Sequence, residues 1–195
     1  IFHQPEKNFT TQIGDGETIA AYLPCPLVAN FRNKDVALGG QGAPLVPFGE
    51  QHLFPNYKLF LNLGGIANLS FGGKAFDVVP CNMALNWLAN AMETPQALDH
   101  DGAAARSGQM DYALYDALEN LPWYQQSGPK SLGTEWFNAH ILPLISQCES
   151  PIEDRMKTFV LHVVSRITVA LRDLQVRSIP LVVTGGGAHN KYLME

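Results

Sequence analysis

Lys58-Leu59-Phe60-Leu61-Asn62-Leu63-Gly64-Gly65-Ile66-Ala67-Asn68-Leu69-Ser70-Phe71-Gly72-Gly73-Lys74-Ala75-Phe76-Asp77-Val78-Val79 is the stretch on which the fold turns. Three short apolar runs are separated by two glycine pairs. Glycine adopts the positive φ that tight hairpins need, so the stretch predicts a three-stranded β-meander. Upstream, residues 26–31 (Pro-Leu-Val-Ala-Asn-Phe) read as another strand. Downstream of Pro80 the period changes. Asn82 is a plausible helix N-cap, followed by Met83, Leu85, Trp87, Leu88 and Met92 at helical spacing. Helical patterns recur over 112–121 and 137–145, and most strongly over 152–174, where Ile152, Met156, Phe159, Val160, Val163, Ile167, Ala170, Leu171 and Leu174 form one stripe. Residues 178–184 read as a buried strand, and Gly185-Gly186-Gly187 leads into a helix start. A meander, then helices, then strand–glycine–helix predicts a mixed α/β fold.

Bulk properties set the limits. A chain of 195 residues with 46% hydrophobic and 16% charged residues is long and apolar enough to bury a core. Its net charge of −5, with no basic run, argues against nucleic acid or an anionic membrane as partner. No apolar run approaches the ~20 residues of a membrane span. Ile1-Phe2-His3-Gln4-Pro5 has no secretory pattern. Cys25, Cys81 and Cys148 are scattered and lack metal-ligand spacing, which suits a reducing compartment and predicts a cytoplasmic protein with no metal site of its own. The chain enters on an apolar pair and stops at Glu195 inside a helical pattern, so both ends are expected to be cut.

Three glycine turns follow apolar runs and each offers bare backbone N–H groups. In Asn62–Asn68 two asparagines flank a glycine pair, which suits either phosphate binding or an ordinary hairpin. Residues 184–190 (Thr-Gly-Gly-Gly-Ala-His-Asn) open a helix, where N–H groups and the helix dipole favour an anion, yet a tight turn without ligand fits equally well. It is neither a Walker loop nor GxGxxG. Residues 35–47 hold Gly39, Gly40, Gln41 and Gly42 with almost no side-chain cover, as at a ligand approach or in a surface loop. Asp77 in an apolar strand must be paired or used, as general base or as a cap for the next helix. Asp99-His100-Asp101-Gly102 lacks an EF-hand continuation and reads as a helix-entry turn. In residues 130–135, Thr134 is either a cap or a sugar contact.

Taken in order and spacing, several of these segments resemble the anhydro-N-acetylmuramic acid kinases. They are Gln12-Ile13-Gly14-Asp15, Asn30-Phe31-Arg32 through Asp35, Gly39-Gly40-Gln41-Gly42-Ala43-Pro44-Leu45-Val46-Pro47, Asn62 to Asn68, Phe76-Asp77 with Pro80 and Asn82, Pro129-Lys130-Ser131 with Gly133, and Gly185-Gly186-Gly187 with Asn190. The resemblance implies an actin-like ATPase (ribonuclease H-like) fold with two lobes: residues 1–57 would end the first lobe and 58–195 would belong to the second. It implies ATP and Mg2+, and a reaction in which water opens the anhydro bridge of 1,6-anhydro-N-acetylmuramic acid while O6 is phosphorylated, giving N-acetylmuramic acid 6-phosphate for cell-wall recycling. Asp77 matches the family's general base. Asn62, Gly64, Gly65, Asn68, Gly185, Gly186, Gly187 and Asn190 would lie on the nucleotide side. Asp35, Gly40, Gln41, Gly42, Asn82 and Glu135 would lie on the sugar side. A homodimer is the expected assembly.

Departures accompany the match. Asn30 stands where the family usually has Asp, and Val78-Val79-Pro80-Cys81-Asn82 replaces a Gly-Pro-Gly-Asn type turn. The family's Gly-Thr-Ser-x-Asp-Gly phosphate loop, its His-Gly-Gln-Thr segment and the end of its nucleotide lobe lie outside these 195 residues. The isolated chain is therefore expected to be inactive and its parent to be a kinase. The competing expectations are a non-catalytic sugar-binding or dimerisation module, and a kinase for a related amino sugar whose cleft the bulkier turn reshapes.

Overall fold

The computed structural model describes residues 2–4, 7, 9–11, 14–40, 42, 46–125, 131–176 and 178–195. The chain divides into two compact units, residues 1–52 and 53–195. Gln12, Ile13, Gln41, Ala43, Pro44, Leu45, Pro129 and Lys130 of the expected motifs lie outside the described residues.

In the first unit, β1 (Phe2–Gln4) pairs antiparallel with β2 (Phe9–Thr11), with Phe2 opposite Thr11. Helix α1 (Gly16–Ala21) starts at Asp15, whose carboxylate accepts from the Thr18 amide at 3.0 Å. That is the usual N-cap bond, and it satisfies one orphan donor of the first turn. Helices α2 (Phe31–Ala37) and α3 (Val46–Leu53) follow, with α2 packed on β2 and Val36 buried. The strand expected over residues 26–31 is not formed. Residues 26–30 have no regular structure and Val28 is 77% exposed. Asn30 sits in the left-handed region at φ 59° and turns the chain into α2. A run of branched residues becomes a strand only where a neighbour completes its ladder, and none pairs with it among the described residues.

The second unit is built on one mixed sheet in the order β5-β4-β3-β6. Strands β3 (Leu59–Leu63), β4 (Ile66–Phe71) and β5 (Lys74–Pro80) form the meander, each antiparallel to the next. The chain then leaves the sheet through α4 (Asn82–Asn90), α5 (Ala103–Ser107), α6 (Tyr112–Glu119), α7 (Thr134–Trp136), a π-type turn at Phe137–Ile141, α8 (Leu142–Gln147) and α9 (Ile152–Asp173). It returns as β6 (Leu181–Thr184), parallel to β3, and ends on α10 (Lys191–Met194). A long helical crossover is what a parallel pair demands, because no tight turn can join its ends.

Alternation divides the sheet. Leu59, Leu61, Leu63, Ala67, Leu69, Phe71, Phe76, Leu181 and Val183 share one face and one hydrophobic core with α4 and α9. From α9 the fully buried Met156, Phe159 and Val163 enter that core, as their spacing predicted. Asp99 receives the Ala104 and Ala105 amides, both at 3.0 Å, which makes residues 99–102 the helix-entry turn expected. Asn82 is not the N-cap of α4. Cys81 holds that position, and Asn82 begins the helix with its side chain committed elsewhere. Among the described residues no helix is long and apolar enough to cross a membrane.

Candidate functional site

The register of the sheet brings together residues that lie far apart in the chain. Thr184 on β6 is paired with Asn62 on β3, Asn62 with Asn68 on β4, and Asn68 with Asp77 on β5. Partners in register project from the same face, so a polar row crosses all four strands on the face opposite the core. A β-bulge sits immediately beyond Asp77: Ala67 pairs with Val79 and Asn68 with Asp77, leaving Val78 without a partner. The extra residue lets Val78 and Val79 both enter the core while Asp77 keeps the polar face.

Asp77 is half-buried, and its Oδ2 accepts from the Leu132 amide at 2.8 Å. Burial pushes its carboxyl above the usual carboxylate range, against the opposing pull of the Leu132 N–H. Such a carboxylate holds a proton more tightly than a solvated one, which favours its use as a base. It does not cap α4, so the capping alternative for this residue is excluded.

Two glycine turns meet at the end of β3. The Asn82 side-chain amide donates to the Leu63 carbonyl at 2.8 Å. Gly185 has φ +86°, and a Cβ there would lie 2.5 Å from Asn62 Oδ1 and 2.8 Å from the Leu63 carbonyl. A Cβ on Gly187 would lie 2.7 Å from Leu63 Cβ. Only glycine permits this approach of the second turn to the first. The carbonyls of Gly64 and Gly65 accept the Asn82 amide at 3.1 Å, and the Cys81 and Met83 amides at 2.8 and 3.1 Å. The turn therefore caps α4, and the amides of that helix start are spent inside the fold. Gly65, Gly185 and Gly186 remain exposed beside the side chains of the polar row.

The other expected site residues lie elsewhere. Asn190 caps α10, its Oδ1 accepting the Leu193 amide at 3.0 Å. Glu135 is exposed on α7. Asp35, Gly40 and Gly42 belong to the first unit, where Asp35 Oδ2 accepts the Gly42 amide at 2.7 Å and Arg32 donates to the Gly42 carbonyl. A Cβ on Gly40 would fall 2.2 Å from the Asp35 carboxylate. Asp35 and Arg32 thus hold the N–H and the C=O of Gly42 between them. Among the described residues no three His, Cys, Asp or Glu side chains converge as a metal site.

Two participants carried no role in the sequence reading. Thr184 precedes the glycine triplet, and its place became visible only through β6 pairing with β3. Leu132 acts through its backbone, for which side-chain identity gives no signal. Val78, Val79, Pro80 and Cys81, which depart from the family pattern, are all buried. Val78, Val79 and Cys81 belong to the hydrophobic core.

A mixed α/β sheet with helices on its core face and glycine turns at one end is of the actin-like ATPase fold class. A family model described as anhydro-N-acetylmuramic acid kinase matches residues 1–195, and the chain belongs to that family. Relatives named anhydro-N-acetylmuramic acid kinase include those of Aliivibrio fischeri (38% identical), Shewanella pealeana (38%) and Pseudomonas syringae pv. tomato (35%), each aligned over the whole of this chain. The chain spans 56% of the length of each of these relatives.

Proposed function

We propose that the protein carrying this chain is an ATP-dependent kinase that opens the anhydro bridge of 1,6-anhydro-N-acetylmuramic acid and phosphorylates O6. The observation that carries this reading is the placement of Asp77, half-buried with its pKa raised, in one row with Asn62, Asn68 and Thr184. Asp77 accepts a proton from the water that attacks C1. As that C–O bond forms, the C1–O6 bridge bond breaks, and O6 attacks the γ-phosphorus of ATP, whose bond to the β,γ-bridging oxygen breaks to release ADP. The neutral amides of Asn62 and Asn68 and the exposed backbone of the glycine turns suit phosphate oxygens as donors. The polar row has no cationic side chain, so the charge of a triphosphate needs neutralising from outside it, which fits the expected Mg2+. Bound Mg2+ would supply that charge neutralisation.

Asp77→Asn should lower kcat by about 10²–10⁴-fold, the usual range for losing a general base, with little change in KM. Because the base works ionised and its pKa is raised, activity should fall with acidity at a midpoint above the ordinary Asp value of about 3.9. ATP-dependent release of the 6-phosphate, followed from pH 4 to 8 in the wild type and the variant, checks both. Full activity in Asp77→Asn would end this reading. The homodimer and the cytoplasmic location belong to the same proposal; sedimentation velocity tests the first.

A further inference from the structure

Leu132 has no side-chain chemistry, yet its amide is the group that holds Asp77. Leu132 lies one residue before Gly133, the N-cap of α7, and the Phe137 amide closes that first turn on the Gly133 carbonyl at 3.2 Å. The direction in which the Leu132 N–H points is therefore set by how α7 is seated. Trp136 on α7 packs against Trp123 and Tyr124 of the short turn Pro122–Gln125, with ring centroids 5.5 and 6.0 Å apart. Tyr124 is fixed in turn: its hydroxyl lies 3.1 Å from His162 Nε2, and the Arg166 guanidinium stacks 5.2 Å from its ring centroid. His162 is fully buried on α9, with Nδ1 2.6 Å from Glu119 Oε1. Glu119 also accepts from Ser165 at 3.2 Å and from Arg166.

We infer that His162, Tyr124 and Trp136 are positioning residues for the proposed reaction, forming a buried brace from α9 that holds the Leu132 amide on Asp77. The inference rests on the reading of Asp77 as the base. His162 donates Nδ1–H to Glu119 and accepts the Tyr124 O–H at Nε2, an arrangement that requires the neutral imidazole. Burial lowers the His162 pKa and raises that of the Tyr124 phenol, which keeps both groups in these protonation states. A brace of this kind acts on geometry alone. Loosening it frees the Asp77 carboxylate to rotate away from its productive orientation without touching substrate contacts.

The test uses Tyr124→Phe, which keeps the ring and loses the hydroxyl, and Trp136→Ala, with Trp136→Phe as the conservative partner. In the protein carrying this chain, kcat should drop on the order of tenfold in Tyr124→Phe and Trp136→Ala, with KM unchanged and recovery in Trp136→Phe. A second readout is independent of turnover. The backbone amide resonance of Leu132 in 15N-leucine-labelled protein should follow the ionisation of Asp77 in the wild type, and this response should vanish in Asp77→Asn. The response should shrink in Tyr124→Phe and Trp136→Ala. Variants that lower Tm but keep both kcat and the Leu132 response would overturn the inference, leaving the cluster purely structural. An Asp77→Asn variant with full activity would defeat the proposed function instead, and the amide response would still decide whether the brace exists.

Discussion

At the residue scale, Asp77 carries a stability cost that its proposed task requires. Its folded pKa is raised, so the contribution of this group is most favourable below the unfolded carboxylate pKa and declines as pH rises through the folded value. Asp77→Asn should therefore raise Tm at neutral pH, and the advantage should vanish on acidification below about pH 4. Calorimetry from pH 3.5 to 8 measures this, and a lower Tm for the variant at pH 7 would contradict it. Gly185 makes the opposite point, because there the backbone decides. Gly185→Ala places a Cβ at positive φ and into the Asn62 side chain and the Leu63 backbone. Its backbone, at φ 86° and ψ 170°, is in a region essentially reserved for glycine, which costs a side chain on the order of 1–3 kcal/mol, and the clash adds to it. Denaturant unfolding should show a loss of at least ~2 kcal/mol, whereas Gly72→Ala, also at positive φ but in open space, should lose only about 1–2 kcal/mol.

At the element scale, α9 is both the principal core helix and the anchor of a buried polar network. Phe159→Ala should cost about 3–5 kcal/mol, as expected for emptying a fully buried aromatic site. His162, on the same helix, gives the fold a pH dependence of known sign. Burial lowers its folded pKa, although Glu119 beside it works the other way and Arg166 adds to the lowering. For Glu119, burial alone would raise the pKa, but the hydrogen bonds from His162 and Ser165 and the Arg166 charge together hold it below the usual value. Tyr124, the remaining titratable neighbour of His162, stays protonated. The His162 contribution is thus fully present above about pH 6.5 and is lost as pH falls toward the depressed folded value. His162→Gln should flatten the acid side of the Tm profile in that window, while leaving the steeper loss near pH 4 that belongs to carboxylates. The stripe 152–174 was legible in the sequence because helical spacing survives in one dimension. His162 was invisible there, since a histidine on a polar-looking flank gives no hint that Glu119 and Tyr124 close over it.

At the scale of the whole molecule, the two units differ in how they are held together. Residues 53–195 contain the four-stranded sheet and the continuous hydrophobic core. In the first unit, residues 21–31 are exposed without interruption, and Tyr22 is 85% exposed just after α1. Brief chymotrypsin digestion should cut first at Tyr22, while a fragment containing residues 53–195 survives and keeps the far-UV dichroism of its sheet and helices. Earlier cleavage within 59–80 or 152–173 would contradict this picture.

The sequence by itself determined the meander, the long helix, the glycine turns and the family. Hydrophobic period, glycine pairs and motif order are properties of a linear string, and a β-hairpin or an amphipathic helix forms largely from neighbours in that string. It failed at residues 26–31, where the apolar run had no partner strand, and at Asn82, whose side chain reaches a carbonyl 19 positions away. Only the tertiary structure decided that Thr184, Asn62, Asn68 and Asp77 form one row, that a bulge turns Val78 and Val79 inward, and that the Leu132 amide rests on Asp77 across 55 positions. Register and backbone hydrogen bonds between distant segments are set by how the whole core packs, which no local spacing encodes.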